Sequence, residues 1–216
     1  MRKLLRVFFY FLYHQFAFAY DLVAAGVSLG HWKNWILEVV PFIEGTRTLE
    51  IGHGPGHLQR FLLSRGLDSV AIDESSSMGR LAQRNTDGAA RLTRGLAQHL
   101  PFADGSFDTV IATFPAEYIT DPLTLSEVRR CLSDGGRFIV LPVAMPKNRF
   151  LSWLFQVTSQ APSDAMKEVP GKLAEPFIES GFDVESYVLD LKSGTLIIIV
   201  ANNPRAERND ERQREV

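Results

Sequence analysis

The stretch Thr48-Leu49-Glu50-Ile51-Gly52-His53-Gly54-Pro55-Gly56-His57-Leu58 decides the fold. Arg47–Ile51 reads as a short strand that runs into a glycine-rich turn. Behind the turn, Leu58, Phe61 and Leu62 recur at helical spacing, which predicts a helix over Gly56–Arg65 with Gly66 as its stop. Glycine is needed where the backbone takes a positive φ and approaches a ligand closely. A helix opening there offers free N–H groups and the positive end of its dipole, which suit a carboxylate-bearing or anionic ligand.

Two details narrow the ligand. Gly52, Gly54 and Gly56 fall at every second residue, whereas the dinucleotide fingerprint wants its third glycine where this chain has His57. Glu50 stands at the strand end, where an acid disfavours a pyrophosphate and suits a cationic sulfonium and amino group. The ligand so implied is partly positive and carries a sugar and a base. Asp73 closes the next apolar run, Val70-Ala71-Ile72, at the place from which an acid accepts ribose hydroxyls. The competing account of Asp73 is an N-cap for the helix that follows.

Outward from this turn the pattern is β-α-β repeated. Strands are predicted over Ser69–Ile72, Ala90–Arg94, Phe107–Ala112 and Arg137–Pro142, and helices over Ser76–Asn85 and Leu123–Leu132. That alternation predicts an α/β fold with a mostly parallel sheet and helices on both faces. Val184–Leu189 and Thr195–Val200 read as a closing hairpin, so the last strand is expected to pair antiparallel. The domain is placed at residues 46–203, with 145–176 as a lid or insertion. Residues 204–216 are a charged tail with almost nothing apolar, expected to be disordered.

Formal net charge is −2, so no broad basic field recruits nucleic acid. The single cysteine, Cys131, excludes an intrachain disulfide and a cysteine-rich metal site, and it reads as a small core residue. His53 and His57 flank the glycines without metal-ligand spacing, so no metal is predicted.

Residues 1–45 form a separate N-terminal segment, expected to be helical. Arg2, Lys3 and Arg6 precede a run of aromatics, and no acid occurs before Asp21. The apolar runs are too short for a spanning helix, which needs roughly 20 residues. Three readings compete: a signal peptide cut near Ala17-Phe18-Ala19, a helix that packs over the active site, and an amphipathic helix over residues 1–20 lying on a membrane surface. A cytoplasmic protein is expected, with peripheral contact on the inner face of the membrane under the last reading.

The series of motifs resembles class I S-adenosylmethionine-dependent methyltransferases, in the methyltransferase type 11 group. Glu50 with Gly52, Gly54 and Gly56 is similar to that family's first motif, and Ile72-Asp73 with Ser75 and Met78 to its second-strand acid and helix start. Leu100-Pro101-Phe102, Asp104, Ser106-Phe107-Asp108 and Val110 resemble the next segment. Leu132 to Phe138, with Gly135-Gly136, and Ser180-Gly181-Phe182 resemble the approaches to the fifth and sixth strands. The resemblance covers about residues 46–201. It implies a Rossmann-like seven-stranded sheet of order 3-2-1-4-5-7-6, and S-adenosylmethionine as cofactor. Glu50 and the glycines would lie near its methionine part, Asp73 on its ribose and Met78 near its adenine. Leu96, before Ala97, stands where many relatives have Asp, so the backbone of Leu96 and Ala97 would read the adenine without a polar side chain.

Methyl transfer from a sulfonium asks the protein mainly for alignment and a dry site, and some acceptors also need a base. Thr113-Phe114-Pro115-Ala116-Glu117-Tyr118 follows the fourth strand, whose carboxyl end should face the cofactor. Thr113 is assigned to the cofactor, and Glu117 and Tyr118 are the acceptor-side candidates. Helix-dipole compensation and packing are the competing accounts of those two. No Asn-Pro-Pro-Tyr run is present, which argues against amine methylation of nucleic acid. The resemblance implies that the segment holding Tyr20, Asp21, His31, Trp32 and Trp35 caps the cofactor, with a surface or packing role the competing account of His31; Phe150, Trp153 and Leu154 either line an apolar acceptor pocket or belong to ordinary core. A small-molecule or lipid-like acceptor is therefore expected. The alternatives are a nicotinamide-dependent oxidoreductase and a non-catalytic S-adenosylmethionine-binding protein.

Overall fold

The computed structural model describes residues 30–147 and 165–205. In chain order they form α1 (Trp32–Leu37), a 3-10 turn (Val40–Phe42), β1 (Arg47–Ile51), α2 (His57–Ser64), β2 (Asp68–Asp73), α3 (Ser76–Asn85) and β3 (Arg91–Arg94). Then come β4 (Phe107–Thr113), a second 3-10 turn (Glu117–Thr120), α4 (Pro122–Cys131), β5 (Leu132–Pro146), α5 (Ala165–Glu179), β6 (Asp183–Asp190) and β7 (Gly194–Asn202). The seven strands make one sheet in the order β3-β2-β1-β4-β5-β7-β6. All pairs are parallel except those of β7, which runs antiparallel to both β5 and β6. The Rossmann-like order and the antiparallel last strand match the expectation.

Central strands buried on both faces are apolar for most of their length, and β4 and β5 show it. Val110, Ala112, Phe138 and Val140 point to one core with Leu125 and Val128 of α4 and Phe177 of α5. Ile111, Ile139 and Leu141, one residue out of step, point to the other with Trp32, Trp35 and Ile36 of α1 and Leu58 and Leu62 of α2. Cys131 is fully buried in the first core, and burial pushes its thiol up to about 11, which keeps it inert.

Several motif residues turn out to hold strands in place. Asp108, at the start of β4, accepts hydrogen bonds from the backbone N–H groups of Thr46 and Arg47, both at 3.1 Å, and pairs with the Arg47 guanidinium. Gly45 curls so closely round this carboxylate that a Cβ there would sit 2.4 Å from the Asp108 Cβ. Arg130 of α4 gathers the segment before β4. It donates to the carbonyls of Leu100 at 3.0 Å and Phe102 at 2.7 Å, and pairs with Asp104 and Glu127.

The sequence predicts a turn at Asp134-Gly135-Gly136 and a strand only from Arg137. Instead β5 begins at Leu132, opposite Phe107, and the glycines form a bulge before Arg137 meets Thr109. Glycine permits this because Gly135 takes φ 73°. Within the stretch 145–176, Met145 and Pro146 end β5 and residues 165–176 lie in α5, while 148–164 fall outside the described residues. The expectations for residues 1–29, including Tyr20 and Asp21, for Phe150, Trp153 and Leu154, and for 206–216 also fall there.

The Arg47 guanidinium beside Asp108 and the backbone N–H groups on it hold that carboxyl down at about 2. A depressed folded value stabilises the fold fully above the unfolded value and loses that contribution as pH falls through about 2. Asp108→Ala is expected to cost about 1 kcal/mol at pH 7, since the groups released are partly solvated. The deficit should be smaller at pH 3. Urea denaturation at both pH values checks this, and an equal deficit at both would contradict it.

Candidate active site

The glycine turn crosses the carboxyl ends of β1, β2 and β4. The Gly52 N–H donates to the Ile72 carbonyl at 2.8 Å, which carries the pairing of β1 with β2 past the last strand residue. Gly52 takes φ 73°, and a Cβ on it would lie 2.5 Å from the Tyr118 hydroxyl oxygen. Gly56 takes φ 80° at the N-cap of α2, and a Cβ there would lie 2.8 Å from that of Ala82 on α3. Gly52 therefore serves a close approach at the site and Gly56 the packing of two helices. Around Gly54 nothing lies within 4 Å of where a Cβ would be.

Asp73 fixes the turn from the side. Its Oδ2 accepts from the Gly54 N–H at 3.0 Å and its Oδ1 from the Ser75 N–H at 2.8 Å. The N-cap of α3 is Ser75, whose Oγ accepts from the Met78 N–H at 3.3 Å. Asp73 is therefore not the cap, and its carboxylate borders an open cleft of about 230 Å³. That cleft is walled by the glycine turn, by Leu96, Ala97 and Gln98, and by Thr113, Phe114 and Tyr118.

Beneath the turn lies Glu50, 2% exposed. Among the described residues its hydrogen-bond partner is Gln59 of α2, whose Nε2 donates to Oε2 at 2.9 Å and also to Ser69 Oγ at 2.9 Å. The Gln59 Oε1 is buried without a partner among the described residues. Burial pushes the Glu50 carboxyl up to about 8; the Gln59 hydrogen bond lowers it and the charge of Asp73 raises it. With its value raised to about 8, the carboxyl is mostly protonated at neutral pH. It opens onto a second cavity of about 20 Å³, room for one small group, roofed by Trp32 and Ile36 of α1. His53 also lines it, with Nδ1 placed 2.8 Å from the Gly54 carbonyl. Burial lowers the His53 pKa, so its ring is neutral.

Of the residues predicted from sequence, Gly52, Gly54, Asp73, Leu96, Ala97, Thr113 and Tyr118 meet round the larger cleft, and Glu50 meets Gly52, Gly54 and Thr113 round the smaller. Leu96 is half-exposed and its carbonyl accepts from the His99 N–H at 3.1 Å. Gly56 and Met78 line neither cavity, and Met78 is fully buried. Glu117 is exposed on the 3-10 turn, outside the cleft wall. Among the described residues no group of three or more His, Cys, Asp or Glu side chains is placed to hold a metal ion. His53, Phe114 and Gln59 belong to the site though sequence reasoning gave them no ligand role. Gln59 had a signal, being a polar residue on the inward face of α2 between Leu58 and Leu62. Phe114 had none: its φ of 49° is a backbone state that no residue pattern announces for a phenylalanine.

The site fits the cofactor that the resemblance implies. One acid borders the open cleft, and a second, buried with no cation beside it among the described residues, lies beyond the glycines on the small cavity.

Residues 49–140 match a family model described as a methyltransferase domain. A ubiquinone/menaquinone biosynthesis C-methyltransferase, UbiE, of Cellvibrio japonicus is 33% identical over 160 residues, 68% of this chain and 64% of that protein. A demethylmenaquinone methyltransferase of Thermobifida fusca is 32% identical over 155 residues, 66% of this chain and 65% of that protein. The chain thus spans a little under two thirds of the curated relatives it matches. In fold it is similar to phosphoethanolamine N-methyltransferase 2 of Haemonchus contortus in complex with S-adenosylmethionine. The TM-score is 0.58 at 17% identity, over 82% of this chain and 53% of that one. The sheet order, the glycine turn and its two acids agree with these matches, which show residues 49–140 to be a methyltransferase domain of the S-adenosylmethionine-dependent kind.

Proposed function

We propose that the protein transfers a methyl group from S-adenosylmethionine to a small, quinol-like or lipid-like acceptor. The observation that carries this reading is the placement of two unlike carboxyls on one glycine turn, Asp73 bordering the cleft and Glu50 buried beneath it. The names of the relatives above favour a quinone-type acceptor.

Bound, S-adenosylmethionine supplies a methyl group already activated for in-line displacement. Asp73 holds the ribose hydroxyls, and its two backbone hydrogen bonds keep the carboxylate from swinging away. Leu96 and Ala97 offer an apolar wall and backbone groups to the base. Glu50 holds the amino group, and Trp32 and Ile36 exclude water from that contact. Thr113 lines the wall between the two cavities. Tyr118, with its hydroxyl over Gly52, is the acceptor-side residue of the cleft and orients an acceptor hydroxyl at its Oη.

Residues 1–20, basic and aromatic, would bring the domain to the inner face of a membrane where a lipid-like acceptor resides. No helix among the described residues is long and apolar enough to cross a membrane. Deleting residues 1–18 is expected to abolish sedimentation with anionic phospholipid vesicles and to leave S-adenosylhomocysteine binding unchanged. Unaltered sedimentation would remove the membrane role.

Incubation with S-adenosylmethionine labelled in its methyl group and 1,4-naphthohydroquinone should yield a labelled, extractable product. Asp73→Ala should weaken S-adenosylhomocysteine binding by about 1–3 kcal/mol, since hydroxyls lose their acceptor and the turn loses its tether. Binding by calorimetry at the wild-type level in that variant would take Asp73 out of the site.

The Glu50 carboxyl gives a pH signature. Its raised folded value means that it stabilises the cofactor-free fold in acid, and that this contribution is lost as pH rises through about 8. A cation entering the small cavity favours the ionised form, so cofactor binding at pH 7 should release close to one proton. Calorimetry in two buffers of different ionisation enthalpy measures it. Glu50→Gln should bind more weakly and release almost none, and a wild-type enthalpy independent of buffer would contradict the assignment.

A further inference from the structure

The two cavities are separate in their far walls and common in their near ones. Asp73, Leu96 and Ala97 line only the larger, and Glu50, His53 and Trp32 line only the smaller. Gly52, Gly54, Thr113 and Phe114 line both. In S-adenosylmethionine the sulfonium is the atom between the ribose and the amino-acid chain. If Asp73 takes the ribose and Glu50 the amino group, the positive sulfur falls at the shared wall, and Phe114 is the one aromatic residue there.

The backbone supports a demand for that ring. Phe114 holds φ 49°, which costs a side-chain-bearing residue about as much as a weak hydrogen bond returns, and such strain persists only where its surroundings over-determine it. Its N–H is fixed to the Leu141 carbonyl at 2.8 Å, continuing the β4–β5 pairing. Glycine or asparagine would occupy this conformation more readily. The chain carries phenylalanine there, partly buried against the α1 and α2 core.

We propose that the Phe114 ring faces the cofactor's sulfonium and makes the protein prefer the charged methyl donor to its neutral, demethylated product. The negative face of an aromatic ring attracts a desolvated cation more strongly than it attracts a neutral thioether. The shape of the two ligands differs by one methyl group, so the ring reads charge. This proposal rests on the assignment of the cleft to S-adenosylmethionine, and it goes beyond it by naming the residue that separates substrate from product.

The test compares calorimetric affinities of the full chain for S-adenosylmethionine and S-adenosylhomocysteine. Phe114→Leu, apolar and of similar bulk, should weaken the charged ligand roughly fivefold to thirtyfold and the neutral one by less than about threefold. Phe114→Tyr should keep the wild-type ratio. Should the leucine variant not fold, fluorinated phenylalanines at position 114 drain the ring's negative face at nearly constant shape. Affinity for the sulfonium should then fall stepwise with fluorine count while affinity for the thioether holds. Equal losses for both ligands, or none for either, would overturn the role of Phe114 and leave the cofactor assignment standing. Failure of the wild-type protein to bind either ligand would overturn both.

Discussion

A carboxyl group buried under a turn of glycines, with an amide as its partner, is the constraint to which the rest of the site answers. Glu50 occupies a central strand, 2% exposed between the buried Leu49 and Ile51. Leaving such a group charged and alone in the interior costs several kcal/mol. The protein meets this by protonating it, by giving it Gln59, and by leaving a cavity no larger than one small group beside it. Helix α2 must therefore start close behind the strand to bring Gln59 over, and only a turn with positive φ values makes that start possible.

The second carboxyl does the opposite work. Asp73 is partly exposed and tied by two backbone N–H groups, so it remains in place at the cleft. One acid is set by exclusion of water and the other by hydrogen bonds. The two carboxyls thus present unlike chemistry on either side of one glycine turn.

Much of this was legible in the residues. The alternation of apolar runs with helical spacing sufficed for the sheet, because strands buried on both faces need unbroken apolar stretches such as Val110-Ile111-Ala112 and Ile197-Ile198-Ile199. That Glu50, Gly52, Gly54 and Asp73 lie together was legible because they sit at the carboxyl ends of two adjacent parallel strands. What escaped depends on contacts between distant segments. The β5 bulge needs Asp108 and Ser133 to be neighbours, Met78 is swallowed by packing that its helix periodicity does not specify, and the roles of Gly52 and Gly56 depend on Tyr118 and Ala82. Glu117 and Tyr118 are adjacent in sequence, yet a 3-10 turn sends one into the cleft wall and the other to the surface.

The hairpin between β6 and β7 holds a quieter consequence. Ser193 receives the Trp35 indole N–H on its Oγ at 2.9 Å, and its carbonyl receives the Lys147 N–H at 3.1 Å. Gly194 beside it leaves the Trp35 ring its space. One serine thus fastens the helix that roofs the small cavity and the far end of the longest strand. Lengthening that hairpin by a single residue would tilt both, so the loop most distant from the chemistry in sequence is among those least free to drift.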